Sequence, residues 1–185
     1  MLPQFGGDDM DAEAPPKRAG EGDAGKVVPV EVVVQQAVGK LKLPRPEIRT
    51  SPDEDFVQIV HVPTWMWLEH KQWKPVSASA SVQGLTVTAT ARPRRTVWSM
   101  GDGARVTCTG PGTAYSASYA PKSPSPDCGH IYRRASVPGP AFVLSVQAVW
   151  DVTWHGGGQG GVVPGLVMDA QREVVVDEVQ GVVTS

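Results

Sequence analysis

The stretch Trp98-Ser99-Met100-Gly101-Asp102-Gly103 decides the fold. Its tryptophan lies near the end of a run in which apolar and polar residues alternate, and Gly-Asp-Gly follows at the end of the stretch. Both glycines can adopt a positive φ without strain, and the carboxylate between them can accept backbone N–H groups. The stretch therefore predicts a buried strand, Thr96 to Met100, that runs into a tight turn and returns over Ala104 to Thr107.

Downstream of this turn, a long strand is predicted to begin at Phe142. Every second residue is apolar, and these residues are Phe142, Leu144, Val146, Ala148, Trp150, Val152 and Trp154. Most of the intervening residues are polar. A period of two is typical of an antiparallel strand with one buried face.

Other segments repeat this alternation on both sides of the motif. Ser77–Val82 and Leu85–Ala91 are separated by a turn at Gly84, which predicts a hairpin with threonines on its open face. A glycine-rich hairpin tip at His155–Gly161 precedes a last strand from Leu166 to Val176. The fold class predicted from these patterns is mainly β and antiparallel.

The turn, a later His-x-Tyr and the strand after it resemble the polycystic kidney disease (PKD) domain, an immunoglobulin-like β-sandwich of extracellular proteins. That family carries Trp-x-Phe-Gly-Asp-Gly and then His-x-Tyr, and the residues that match by position are Trp98, Gly101, Asp102, Gly103, His130 and Tyr132. Met100 replaces the family's phenylalanine, and the segment before His130 is longer than in the family. The resemblance covers residues 77–180 and implies structural roles for all six residues. It implies that His130 bonds the backbone near the turn and that Tyr132 acts as a corner tyrosine.

The domain organisation that we predict has three parts. Residues 1–25 are acidic and rich in Gly, Pro and Ala, which predicts a disordered lead-in. Residues 26–76 are predicted to contain a helix over Pro29–Leu41, with one continuous apolar face, and an extended Trp-rich arm over Pro63–Pro75. Both are expected to pack on a PKD-like immunoglobulin-type sandwich formed by residues 77–185.

The Trp-rich arm is the candidate ligand surface, because Trp65, Trp67 and Trp73 lie close together in the sequence. Flat indole rings can stack on sugar rings, which suggests carbohydrate binding. The alternative is that the tryptophans seal the N-terminal helix against the sandwich and bury about 150–250 Å² each. We favour packing, since the apolar helix face needs a partner.

The only two cysteines, Cys108 and Cys128, flank a Gly-, Pro- and Ser-rich loop over residues 109–127. This placement predicts a disulfide at the base of the loop, and a disulfide indicates an oxidising compartment. The alternative is a pair of reduced thiols. The first residues show neither the basic nor the apolar region of a signal peptide, so we expect a translation start upstream or a leader that has been removed.

Several functional classes receive no support from the sequence. The net charge of −2 and the absence of a Lys/Arg run argue against nucleic acid and anionic membranes as partners. The sequence contains no run of about 18 apolar residues, so no membrane span is predicted. Gly20–Lys26 imitates a phosphate-binding loop, but Val27 replaces the Ser or Thr that holds Mg²⁺, so no nucleotide is expected.

No catalytic, cofactor-binding or metal-binding residues are predicted. A zinc site would combine the segment Asp127–His130 with Cys108, His61 or His70, but these residues lack paired ligands at recognisable spacings. A calcium site on Asp53, Glu54, Asp55 and Asp102 has no recognisable ligand pattern, and the acidic loop is interpreted as solvated. No Gly-x-Ser-x-Gly elbow presents a serine to a histidine.

The function predicted from the sequence is a non-catalytic structural and interaction module, secreted or at the cell surface. Its expected partner is a protein or polysaccharide of the cell envelope. The alternatives are a carbohydrate-binding module and an accessory domain of a larger secreted enzyme or assembly. The absence of Asn and the abundance of Val, Ala, Gly, Pro and Arg favour a G+C-rich genome, such as that of an actinobacterium.

Overall fold

The computed structural model describes residues 27–53, 55–120 and 122–178. The predicted lead-in over residues 1–25 and Gly20–Lys26 lie outside them. Within the described ranges the elements are α1 (Val30–Gly39), β1 (Ile48–Ser51), β2 (Gln58–Ile59), β3 (Pro63–Leu68), a 3₁₀ helix (His70–Gln72), β4 (Val76–Val82), β5 (Leu85–Ser99), β6 (Arg105–Cys108), β7 (Gly129–Ile131), β8 (Phe142–Gly156), β9 (Gln159–Val174) and β10 (Val176–Asp177). The fold is mainly β, as predicted.

A large antiparallel sheet has the strand order β4-β5-β8-β9, and β6 also pairs with β5. The two short strands share one edge of β5, since β4 pairs with Leu85–Ala91 and β6 pairs with Thr96–Ser99. The strand predicted from Phe142 is confirmed as β8. Its even-numbered residues from Phe142 to Val152 are buried, as the alternation requires.

The strand β5 is longer than predicted. Leu85–Ala91 and Thr96–Met100 were expected to be separate strands, but one strand runs through both. Its register against β8 shifts between Pro93 and Arg95. Pro93 still pairs with Trp150, Arg94 is left out of the register, and pairing resumes between Arg95 and Val149, as in a β-bulge.

A small antiparallel sheet has the order β1-β3-β7. The first half of the predicted Trp-rich arm, Pro63–Leu68, is extended, but it was not predicted to pair and forms the central strand β3 of this sheet. Both faces of β3 are covered, with Trp65, Met66 and Leu68 all buried. A separate pair of two-residue strands joins β2 to β10 in parallel.

Two clusters of buried side chains lie on the inner face of the large sheet. The first core combines Met66 and Leu68 of the small sheet with Trp98, Leu144 and Val146 of the large sheet. The helix core places Val33, Val34 and Ala37 of α1 against the other half of the same face, including Val87, Ala89 and Val152. The predicted apolar face of α1 is therefore confirmed, and it packs on β4 and β5.

Candidate functional site

The Gly-Asp-Gly turn connects β5 to β6. Gly101 and Gly103 have φ values of +81° and +102°, as the motif requires. The Met100 amide donates to the Ala104 carbonyl at 3.0 Å, and the Ala104 amide donates to Asp102 Oδ1 at 2.9 Å. A Cβ atom on Gly101 would lie 2.7 Å from the Val143 nitrogen. The chain therefore needs glycine at 101 both for its φ and for the close approach of β8.

The turn is tied to the His-x-Tyr motif through the second carboxylate oxygen. His130 Nε2 lies 2.8 Å from Asp102 Oδ2, and the two side chains are only 13% and 10% exposed. The Tyr132 ring meets the His130 ring edge-on at 4.7 Å, and its hydroxyl donates to the Met100 carbonyl at 3.2 Å. The expectation that His130 bonds the backbone was wrong: the histidine bonds the carboxylate, and the carboxylate bonds the backbone.

The electrostatics favour an ionised Asp102. Burial by itself would raise the pKa of this carboxyl, but hydrogen bonds from the Ala104 amide and from His130, together with the charge of His130, bring the pKa below its usual value. Burial and the Asp102 charge raise the pKa of Tyr132, so its hydroxyl stays protonated and remains a donor. The ionisation states therefore match the hydrogen bonds that hold the turn.

An Asp–His pair is also part of a catalytic triad, in which the histidine faces a nucleophile. A pocket beside His130 contains one serine, Ser125. Its Oγ donates to Asp127 Oδ1 and accepts the amides of Asp127 and Cys128. Within the described part of the chain, the only hydrogen bond of the His130 side chain is the one to Asp102. Among the described residues the pair therefore contacts no nucleophile, and it links the Gly-Asp-Gly turn to β7.

Replacing Asp102 by alanine should lower the free energy of unfolding by about 1–3 kcal/mol, because the Ala104 amide and His130 lose their acceptor. Asp102→Asn should cost less, since its amide oxygen can still accept the Ala104 amide. The folded pKa is depressed, so the stabilisation from ionised Asp102 is present above the unfolded pKa and is lost as pH falls through the folded value. Urea melts between pH 7 and pH 3 should show the advantage of wild type over Asp102→Asn shrinking below about pH 4. A constant difference across this range would contradict the assignment.

The cysteines form the predicted disulfide. Cys108 and Cys128 are bonded, their Cα atoms lie 5.6 Å apart, and both residues are buried. Cys108 ends β6 of the large sheet and Cys128 directly precedes β7 of the small sheet. The bond therefore joins the two sheets and closes the loop over residues 109–127.

The double variant Cys108→Ser/Cys128→Ser should lose about 3 kcal/mol of stability, the chain entropy of closing a loop of this length. Hydrogen exchange should rise in residues 109–127, while the β8 amides stay protected. Equal exchange of the loop in both proteins would show that the disulfide does not order it.

The three tryptophans of the Trp-rich stretch are placed differently from one another. Trp65 is 2% exposed and is covered by the rings of Tyr115 and Tyr119, at centroid distances of 5.2 and 4.6 Å. Its Nε1 donates to the Ser123 carbonyl at 2.7 Å. Trp67 is half-buried, and half-buried Trp73 packs against the first core. Trp65 is therefore packed, but it packs under the disulfide loop and not against α1, and its buried ring is inaccessible to a sugar.

The described part of the chain contains no group of three or more His, Cys, Asp or Glu side chains that could hold a metal ion. In the same residues, no helix is long and apolar enough to cross a membrane. Comparisons with protein-family models, with curated proteins and with solved structures found no match.

Proposed function

We propose that this chain is a non-catalytic structural and interaction module, secreted or displayed at the cell surface, with a PKD-type immunoglobulin-like architecture. The observation that best supports this proposal is the set of hydrogen bonds that the motif residues make. Asp102 bonds Ala104 and His130, and Tyr132 bonds Met100, so the polar groups of the motif hold one turn in place. The resemblance implies structural roles for these residues, although it implies a backbone partner for His130, whose ring bonds Asp102 instead.

The compartment is proposed from the disulfide. Disulfides persist in oxidising environments and are rare in reducing ones. Cys108–Cys128 joins two sheets and is buried, so it contributes to the fold and does not resemble an exposed redox couple. A small β module stabilised in this way suits the cell envelope, where its partner would be a protein or a polysaccharide.

Surface labelling of intact cells that produce the protein tests the proposed compartment. A membrane-impermeant amine reagent should label the protein on whole cells, or the protein should be found in the medium. Thiol alkylation without a reductant should modify neither cysteine. A protein that is labelled only after lysis, with both thiols alkylated, would contradict the proposal.

A further inference from the structure

The outer face of the large sheet, which points away from both cores, carries a concave pocket of about 220 Å³ over β5, β6, β8 and β9. Its outward-facing polar side chains are exposed or half-buried. These polar side chains are Ser99, Arg105, Ser145, Gln147, Asp169 and Gln171. None of them belongs to the matched motif residues or to the Trp-rich stretch.

The strand register arranges these side chains in two rows across the sheet. One row runs Arg105, Ser99, Ser145, Gln171, since each residue pairs with the next. The other row includes Gln147 and its partner Asp169 on β9. Adjacent strands lie about 4.8 Å apart, so the first row presents a polar group at each step over roughly 14 Å.

The polar groups of this pocket differ in their hydrogen bonding from those elsewhere on the same face. On β4 and β5, the hydroxyls of Ser79 and Thr88 bond each other at 2.8 Å, and two neighbouring Ser–Thr pairs do the same. In contrast, none of the six pocket side chains has a hydrogen-bond or ion-pair partner among the described residues. Their donors and acceptors are therefore free to meet a ligand.

The composition of the pocket limits the chemistry of that ligand. Serine hydroxyls and glutamine amides both donate and accept, so they suit a ligand with groups of the same dual character. Arg105 and Asp169 give the pocket one positive and one negative charge, which provides no net attraction for a polyanion. Hydroxyl-rich neutral sugars have this dual character and no charge.

We infer that this pocket, defined by the two rows, binds a short segment of a neutral glycan. The inference deepens the proposed function, on which it rests, by giving the module a polysaccharide partner. It also places the carbohydrate surface on the outer face of the sheet and not on Trp65, Trp67 and Trp73, of which Trp65 is buried. The polar groups across the rows would orient the glycan through direct and water-mediated hydrogen bonds.

Calorimetric titration of the full, oxidised chain tests this inference with three probes. These are a tetramer of N-acetylglucosamine, a tetramer of glucose and, as the anionic control, a tetramer of galacturonic acid. At least one neutral tetramer should bind saturably, and the anionic tetramer should bind at least about fivefold more weakly. The two neutral probes distinguish recognition of acetamido groups from recognition of hydroxyls alone.

Ser145→Ala and Gln147→Ala should each raise the dissociation constant about three- to tenfold, the effect of removing one hydrogen bond. The matched control is Thr88→Ala, which lies on the same face but outside the pocket. This variant should change the dissociation constant less than twofold. Circular dichroism should show all three variants folded, because the replaced side chains lie on the outer face. No saturable binding of either neutral tetramer at about 10 mM, tighter binding of the anionic tetramer, or equal weakening by Thr88→Ala would overturn the inference. The titration uses purified oxidised protein, so its result is independent of the cell-labelling experiment.

Discussion

Replacing Trp98 by alanine should lower the free energy of unfolding by about 3–5 kcal/mol, a loss at the upper end of what a single core substitution produces. Trp98 has no exposed surface and lies in the first core between the two sheets. Its Nε1 donates to Thr96 Oγ1 at 2.9 Å, so the polar group of the buried indole has a hydrogen-bond partner. Alanine would leave a cavity where both sheets meet.

Urea denaturation of Trp98→Ala measures this loss. Trp67→Ala is the matched control, because it removes the same side chain from a half-buried position on β3 and should cost clearly less. A loss below about 1 kcal/mol for Trp98→Ala would place the centre of the core elsewhere.

Gly101→Ala should destabilise the protein by about 2–5 kcal/mol. Part of this is the cost of a positive φ for a residue with a Cβ, about 1–2 kcal/mol. The rest arises because the new Cβ would lie 2.7 Å from both the Val143 nitrogen and Phe142 Cβ, so β8 must move. Backbone atoms cannot move aside as the end of a flexible side chain can.

Gly103→Ala provides the control within the same turn. Gly103 also has a positive φ, but a Cβ there would meet nothing within 4 Å. This variant should therefore show only the conformational cost, about 1–2 kcal/mol. Thermal melts that rank the two variants equally would show that the contact between the turn and β8 is not close.

The sequence was most informative where local patterns determine the structure. The alternation from Phe142 predicted β8, and the spacing of Val33, Val34 and Ala37 predicted the buried face of α1. The flanking positions of Cys108 and Cys128 predicted the disulfide. Each of these features depends on a short period or on a single pair of residues.

The features that were missed depend on contacts between distant residues. The Trp-rich stretch became the strand β3 because it pairs with β1 on one side and with β7 on the other. Trp65 is covered by Tyr115 and Tyr119, which lie far along the chain in a loop without any periodicity. No local pattern indicates which loop will cover a tryptophan.

The outer-face pocket was missed for a different reason. Ser145 and Gln147 lie at the polar positions of an alternating strand, where polar residues are expected whether or not they bind a ligand. Only the pairing of the strands shows that Ser99, Arg105 and Asp169 line the same pocket as these two residues. The signal is therefore a property of the assembled sheet.

The central claim is that the motif holds the fold together, and a double-mutant cycle on Asp102 and His130 tests it most directly. Urea melts of Asp102→Ala, His130→Ala and the double variant give the coupling energy of the pair. A contact of 2.8 Å between side chains that are about nine-tenths buried should give a favourable coupling of about 0.5–3 kcal/mol. Two single variants as stable as wild type, with a coupling energy of zero, would contradict the claim.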